Sequence, residues 1–132
     1  MGKMNVPDGL LYTKEHEWIR IDNHLGTIGI TDYAQDALGD VTFVELPKVG
    51  DSIRQFEAFS SVESVKAVSD VYAPMSGKII KVNDGLMESP ELINQSPYDK
   101  GWMVVIEIFD ENEKKNLMTA SEYRKYLEGI IE

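Results

Sequence analysis

The stretch Phe59-Ser-Ser-Val-Glu-Ser-Val-Lys66-Ala-Val-Ser-Asp-Val-Tyr72 reads as two strand-like arms around one lysine. Valine and aromatic residues recur in both arms, and Ala73-Pro74 closes the second, which is the composition of strands bounded by a turn. With Val65-Lys66 as a two-residue tip, the facing pairs are Ser64/Ala67, Glu63/Val68 and Val62/Ser69. The tip has no Asn-Gly and no glycine, the residues that favour a tight hairpin turn, so the hairpin rests on its flanks. Lys66 then sits farthest from the core, where a lysine can be modified and swung. On local sequence alone, a solvated surface lysine is the commoner occupant of such a place.

The neighbouring segments extend the β pattern. Trp18-Ile-Arg-Ile21 and Thr27-Ile-Gly-Ile30 alternate with period two and join through Asp22-Asn23-His24. Thr31 caps a short helix with Tyr33, Ala34, Ala37 and Leu38 on one face, and Gly39 stops it. Val41 to Leu46 is a strand ended by Pro47, Val49-Gly50-Asp51 a turn, and Ile53 to Phe56 the entry to the next strand. Gly77 to Val82 is a strand ended by Asn83-Asp84-Gly85. Ser89-Pro90-Glu91 opens a short helix, with Ser89 as cap. Trp102 to Ile108 is nearly continuously apolar and predicts a strand buried on both faces. Thr119-Ala-Ser-Glu122 is a capping box that starts a C-terminal helix over about residues 119–128, with Tyr123, Tyr126 and Leu127 on one face. Many short strands with close turns predict a mainly β sandwich or barrel. No linker or low-complexity segment interrupts it, so residues 1–132 are expected to form one domain.

Composition narrows the chemistry. The net charge is −10, which disfavours nucleic acid and anionic membrane surfaces as partners. The chain has no cysteine, so disulfides, cysteine-ligated zinc and a thiol nucleophile are excluded. Any thiol chemistry must come from something attached. His16 and His24 form no metal-ligand pattern. No apolar run reaches the roughly 18 residues of a membrane span. The N-terminal residues Met1-Gly-Lys-Met-Asn-Val-Pro7 lack signal-peptide and transit-peptide patterns, and Val6 stands where a myristoylation motif wants Ser or Thr. A cytoplasmic protein is expected, or a mitochondrial one only if a transit peptide has been removed.

Five segments carry a resemblance. Tyr12-Thr-Lys-Glu-His-Glu-Trp18, Gly29-Ile-Thr-Asp-Tyr-Ala-Gln-Asp-Ala-Leu-Gly39, Phe43-Val-Glu-Leu-Pro47, Val62-Glu-Ser-Val-Lys-Ala67, and Ser96-Pro-Tyr98 through Gly101-Trp102 resemble, in order and spacing, the H-protein family of the glycine cleavage system. The resemblance runs from about residue 9 to 127. It implies a lipoyl/biotinyl-type barrel-sandwich hybrid of two small antiparallel sheets related by a quasi-twofold axis, with short peripheral helices and a C-terminal helix. It implies lipoic acid in amide linkage on Lys66, which would remove one positive charge and supply the sulfurs the chain lacks.

The resemblance further implies a monomeric carrier and not an enzyme. Such a carrier takes an aminomethyl group of glycine from a pyridoxal-phosphate glycine decarboxylase and gives it to a tetrahydrofolate-dependent aminomethyltransferase. A dihydrolipoyl dehydrogenase reoxidises it, and a lipoate-attaching enzyme loads it. The family's motif places Glu17 and Asp70 as the carboxylates of a cleft for the aminomethyl ammonium, and Glu63, Ser64, Val65 and Ala67 as the attachment context of Lys66. The bland readings are a strand-edge charge for Glu17, a turn residue for Asp70 and a solvated strand residue for Glu63. Some relatives carry a histidine near this cleft, in the helix after Ile-Thr-Asp; here the position is Ala37. Neither His16 nor His24 is assigned to replace it: His16 is expected to pack beside Trp18, and His24 to occupy a turn. Val65-Lys66-Ala67 fits neither the Asp-Lys-Ala of 2-oxo acid dehydrogenase carriers nor the Met-Lys-Met of biotin carriers. The alternative is an H-like carrier that relays lipoate to other complexes.

Overall fold

The computed structural model describes residues 4–131, and the backbone only at Ile131; the readings made on Met1-Gly2-Lys3 lie outside the described residues. Among the described residues, nine strands form two antiparallel sheets. Strands β1 (Leu11–Tyr12), β2 (Glu17–Asp22), β3 (Leu25–Ile30), β5 (Ser52–Ile53), β8 (Gly77–Val82) and β9 (Val104–Ile108) make a six-stranded sheet of order β1-β2-β3-β9-β8-β5. Strands β4 (Val41–Glu45), β6 (Ala58–Ser64) and β7 (Val68–Tyr72) make a three-stranded sheet of order β4-β6-β7. The two expected sheets are present, but they are unequal.

The main core lies between the sheets and includes Ile19, Ile28, Val44, Val62, Val71, Ile79 and Ile106. These come from alternate positions of their strands, so period-two patterning delivers them to one side. A second apolar cluster joins Val6, Leu10, Tyr12 and Trp18 to Tyr123 and Leu127 of the C-terminal helix. Trp18 is fully buried and donates Nε1–H to the carbonyls of Ile30 and Pro97 at 3.0 and 3.1 Å. Its cross-strand partner is Gly29, where any Cβ would come within 2.7 Å of the indole. The glycine is there because the ring lies on its backbone.

Helix α1 (Asp32–Leu38) starts where expected, with Thr31 Oγ1 accepting from Ala34 N–H, and ends on Gly39 at φ +79°. Short helices α2 (Gly85–Glu88) and α3 (Leu92–Gln95) follow β8. Ser89 is the C-cap of α2 and not the side-chain cap of α3, whose N-cap is Glu91; Pro90 and Ser89 serve through their backbone carbonyls. A 3₁₀ turn spans Glu111–Asn116, and α4 covers Ala120–Ile131, longer than expected at its C-terminal end.

Two strand expectations are corrected. Ile53 to Phe56 does not continue as a strand: Phe56 turns into the left-handed region at φ +66°, and its N–H donates to Ala73 O at 2.7 Å. Strand β9 is buried on one face only, because Glu107 is exposed and Val105 half-buried. β9 has sheet neighbours on both sides but only one core to face, so its apolar run overstates its burial. The capping box holds: Thr119 N–H donates to Glu122 Oε1 at 2.8 Å, and Glu122 N–H to Thr119 Oγ1 at 3.2 Å. Thr119→Ala is expected to lower stability by about 1 kcal/mol, read as a lower urea midpoint at unchanged slope.

Candidate functional site

The hairpin of β6 and β7 has the register expected from sequence, with Val62 opposite Ser69 and Glu63 opposite Val68. Ser64 N–H donates to Ala67 O at 2.7 Å, leaving Val65-Lys66 as the tip. What replaces the missing Asn-Gly is Ser64 itself. Its Oγ accepts from Lys66 N–H at 3.3 Å and Ala67 N–H at 3.1 Å, a side chain closing a turn on its own backbone. Val65 N–H reaches Asp40 O at 3.3 Å, tying the tip to the loop after α1.

Val65 is 80% exposed and Lys66 and Ala67 are exposed beside it. The lysine side chain runs over Gly39, where an added Cβ would meet Lys66 Cε at 3.5 Å and Nζ at 3.9 Å. Among the described residues no ion pair engages Lys66. Glu63 is half-buried, with Phe43 and Val68 as its cross-strand neighbours.

A groove of about 310 Å³ runs between α1 and β7. Tyr33, Ala37 and Leu38 line one wall, Ala67, Val68 and Asp70 the other, and His16 also borders it. The groove begins beside Lys66 at Ala67 and is mainly apolar, with Asp70 as its acidic member.

Glu17 opens on a second depression, of about 410 Å³, walled by Tyr12, Thr13, Phe56, Tyr72 and Met118. It is 1% exposed, so it is no strand-edge surface charge. Thr13 Oγ1–H donates to Glu17 Oε1 at 2.5 Å, and Tyr72 N–H donates to Oε2 at 3.0 Å. Burial pushes the carboxyl up to about 7, outweighing those two hydrogen bonds, which favour the ionised form; the nearby charge of Glu15 raises it further. Asp70 and Tyr72 alternate on β7 and so share a face. Glu17 and Asp70 are therefore gathered at one edge of β7, but they border two depressions rather than one.

His16 is placed differently from its expectation. Its neighbours are not Trp18 but Tyr33, at 4.5 Å between ring centroids, Tyr126 at 5.9 Å, and Tyr123, whose Oη is 2.8 Å from Nδ1. Trp18 instead meets Tyr98 and the guanidinium of Arg20. His16 holds φ +74°, and it borders the same groove as Ala37, the cleft to which sequence reasoning did not assign it. Its hydrogen-bond partner Tyr123 comes from 107 residues away in the chain, which no local pattern signals. Tyr72, a partner of Glu17 from 55 residues away, was missed for the same reason, and Thr13 was missed although it lies only four residues before Glu17. His24 lies at the turn after β2, exposed, with Nδ1 3.3 Å from Glu111.

A lone amine on a solvent-facing tip, an apolar groove starting at its foot and two carboxylates beyond it suit a covalently carried apolar arm with a cationic end. Comparison with known proteins gives the family. The family described as "Glycine cleavage H-protein" matches residues 10–130. The glycine cleavage system H protein of Halothermothrix orenii is 53% identical over 127 residues, covering 96% of this chain and 99% of the relative. That of Carboxydothermus hydrogenoformans is 54% identical over 123 residues, covering 93% and 95%. The crystal structure of a glycine cleavage system H protein from Mycobacterium marinum superposes with a TM-score of 0.84 at 37% identity, over 93% of this chain and 99% of that one. The chain belongs to the glycine cleavage H-protein family, carrier components of the glycine cleavage system rather than catalysts.

Proposed function

We propose that Lys66 is the lipoyl-bearing residue and that this carrier shuttles an aminomethyl group of glycine. The donor is a pyridoxal-phosphate glycine decarboxylase, the acceptor a tetrahydrofolate-dependent aminomethyltransferase, and a dihydrolipoyl dehydrogenase restores the disulfide. The supporting observation is the tip: Lys66 is exposed, unpaired among the described residues, and raised on a turn whose backbone Ser64 fixes. The lipoyl group, when attached, supplies a dithiolane sulfur to take up the aminomethyl group.

The protein's own part is presentation and protection. Tethering Lys66 to a rigid hairpin raises the local concentration of the reacting sulfur at a docked partner. Between partners, the groove from Ala67 to Tyr33 gives the arm an apolar wall to retract along. Asp70 then offers its carboxylate to the ammonium of the cargo on this groove, and Glu17 does so where the end of the arm reaches the second depression. A buried Glu17 near pH 7 is close to its midpoint, so an arriving cation draws it into the ionised form. Charge-assisted contacts of this kind are worth about 1.5–3 kcal/mol. Glu17→Gln with Asp70→Asn should therefore release the aminomethyl group to water at least about tenfold faster, measured as formaldehyde and ammonia appearing from the isolated loaded carrier.

Glu63, three residues before Lys66, is the acidic landmark we assign to the lipoate-attaching enzyme, with Ser64, Val65 and Ala67 as its context. Glu63→Ala is expected to slow lipoylation several-fold without shifting the unfolding midpoint; attachment at the wild-type rate would remove the assignment. The test of the whole function is glycine–bicarbonate exchange by the decarboxylase in the presence of the lipoylated chain. Exchange at background would favour a carrier that relays lipoate elsewhere.

A further inference from the structure

A proton count at Tyr123 fixes the chemical form of His16. Tyr123 Oη lies 2.8 Å from Thr31 Oγ1 and 2.8 Å from His16 Nδ1. Thr31 is fully buried, and its oxygen already accepts from Ala34 N–H at 3.2 Å. Among the described residues the only acceptor for the Thr31 hydroxyl proton is Tyr123 Oη. The proton of Tyr123 then goes to its other neighbour, His16 Nδ1, which must be the acceptor. A neutral imidazole accepting at Nδ1 carries its proton on Nε2. Burial pushes His16 down to about 4, so the ring is neutral around pH 7.

The Nε2–H so fixed has no hydrogen-bond partner among the described residues. It is not sealed in the core, since no buried side-chain nitrogen or oxygen there lacks a partner. His16 borders the groove with Tyr33 and Asp70. The ring is clamped by Tyr33, Tyr126 and Tyr123 and set on a left-handed backbone at φ +74°. A non-glycine residue rarely takes that conformation without compensation. Here is a donor with its tautomer fixed, its rotation restricted and its proton unspent, beside the groove the arm would use.

We propose that His16 Nε2–H is a hydrogen-bond donor to the retracted arm, to its amide carbonyl or to a sulfur, and that Tyr123 of α4 is the positioning residue that keeps this nitrogen protonated. The inference rests on Lys66 bearing the arm and on its retraction into the groove. Neutrality suits the role, because the donor adds no positive charge beside a cationic cargo. It also gives the C-terminal helix a part in the site, through Tyr123 and through Tyr126, whose hydroxyl holds Lys14 O at 3.0 Å.

The experiment uses the full chain, unmodified, octanoylated, lipoylated and aminomethyl-loaded, with long-range proton–nitrogen correlation spectra of His16. The unmodified protein should show the Nε2–H form, and Tyr123→Phe should give mixed tautomers. A His16 Nε2–H shift on octanoylation, which supplies the carbonyl without sulfur, identifies the carbonyl as acceptor. A shift that needs the lipoyl group identifies a sulfur. His16→Asn tolerates the left-handed backbone but lacks the outer donor, and should release the cargo about fivefold to tenfold faster. His16→Gln, which restores a donor at that reach, should recover most of the retention. An Nδ1–H form, no shift in any modified state, or wild-type release by His16→Asn overturns the proposal. Absence of lipoyl mass on Lys66 would instead overturn the reading it rests on, so the two failures are distinguishable.

Discussion

Lys66→Arg is expected to remove the lipoyl mass from the intact protein entirely and to reduce aminomethyl acceptance to background. Arginine keeps the charge and much of the length of lysine, yet its guanidinium stays protonated at all relevant pH and is no nucleophile for amide formation. The site around it should tolerate the change, since Lys66 is exposed and makes no ion pair among the described residues. The turn depends on Ser64 Oγ and backbone N–H groups, not on the lysine side chain. The unfolding midpoint should therefore move by no more than the ±0.5 kcal/mol of a surface substitution. Intact mass with peptide mapping separates the outcomes. A lipoyl adduct that persists elsewhere in the chain would overturn the assignment of Lys66.

The second large effect is on stability and runs through pH. Glu17 titrates near 7 in the folded protein and at the ordinary glutamate value of 4.5 when unfolded. Between those values the folded state binds more protons than the unfolded one, so stability falls as pH rises. Below about 4.5 the residue is neutral in both states and costs nothing by this route. Above about 7 the cost is complete, at about 3 kcal/mol. Glu17→Gln can accept from Tyr72 N–H through its one amide oxygen and donate its amide N–H to Thr13 Oγ1, but it cannot ionise. Relative to the parent, the variant should therefore gain about 3 kcal/mol between pH 4.5 and 7.5, read from urea midpoints across that window. Parallel pH curves for the two proteins would show that Glu17 is not the titrating group. The same variant should hold its aminomethyl cargo less well, so the residue costs stability where it serves the cargo.

The fold was legible wherever period-two patterning meets one buried face. Strands β2 and β3 follow from such alternation, the β6–β7 register from taking Val65-Lys66 as the tip, and α1 from Thr31 and Gly39. The errors have local causes. Phe56 lies in a run that looks extended, but its N–H goes to Ala73 O, a partner no window around residue 56 contains. β9 looks buried on both sides because Val104, Val105 and Ile106 are contiguous, although Val105 is only half-buried and Glu107 faces out. At the site, Lys66, Glu63 and Asp70 were visible as residues of a motif, and their placement follows from one hairpin. The burial of Glu17 was not visible, because its pocket is assembled from Thr13 and from Tyr72, 55 residues on. His16 was hidden still more deeply, since its role comes from a tyrosine on the last helix.

The bond from Tyr72 N–H to Glu17 Oε2 also bears on the open edge of β7. β7 is an outer strand of its sheet, and such strands invite pairing with another chain. At Tyr72 the place of a strand neighbour is taken by a carboxylate from the other sheet. An incoming strand would have to displace that carboxylate and bury it unpaired. Glu17 thus acts as a guard on an open edge, and slow exchange of the Tyr72 amide hydrogen would report that the guard is in place.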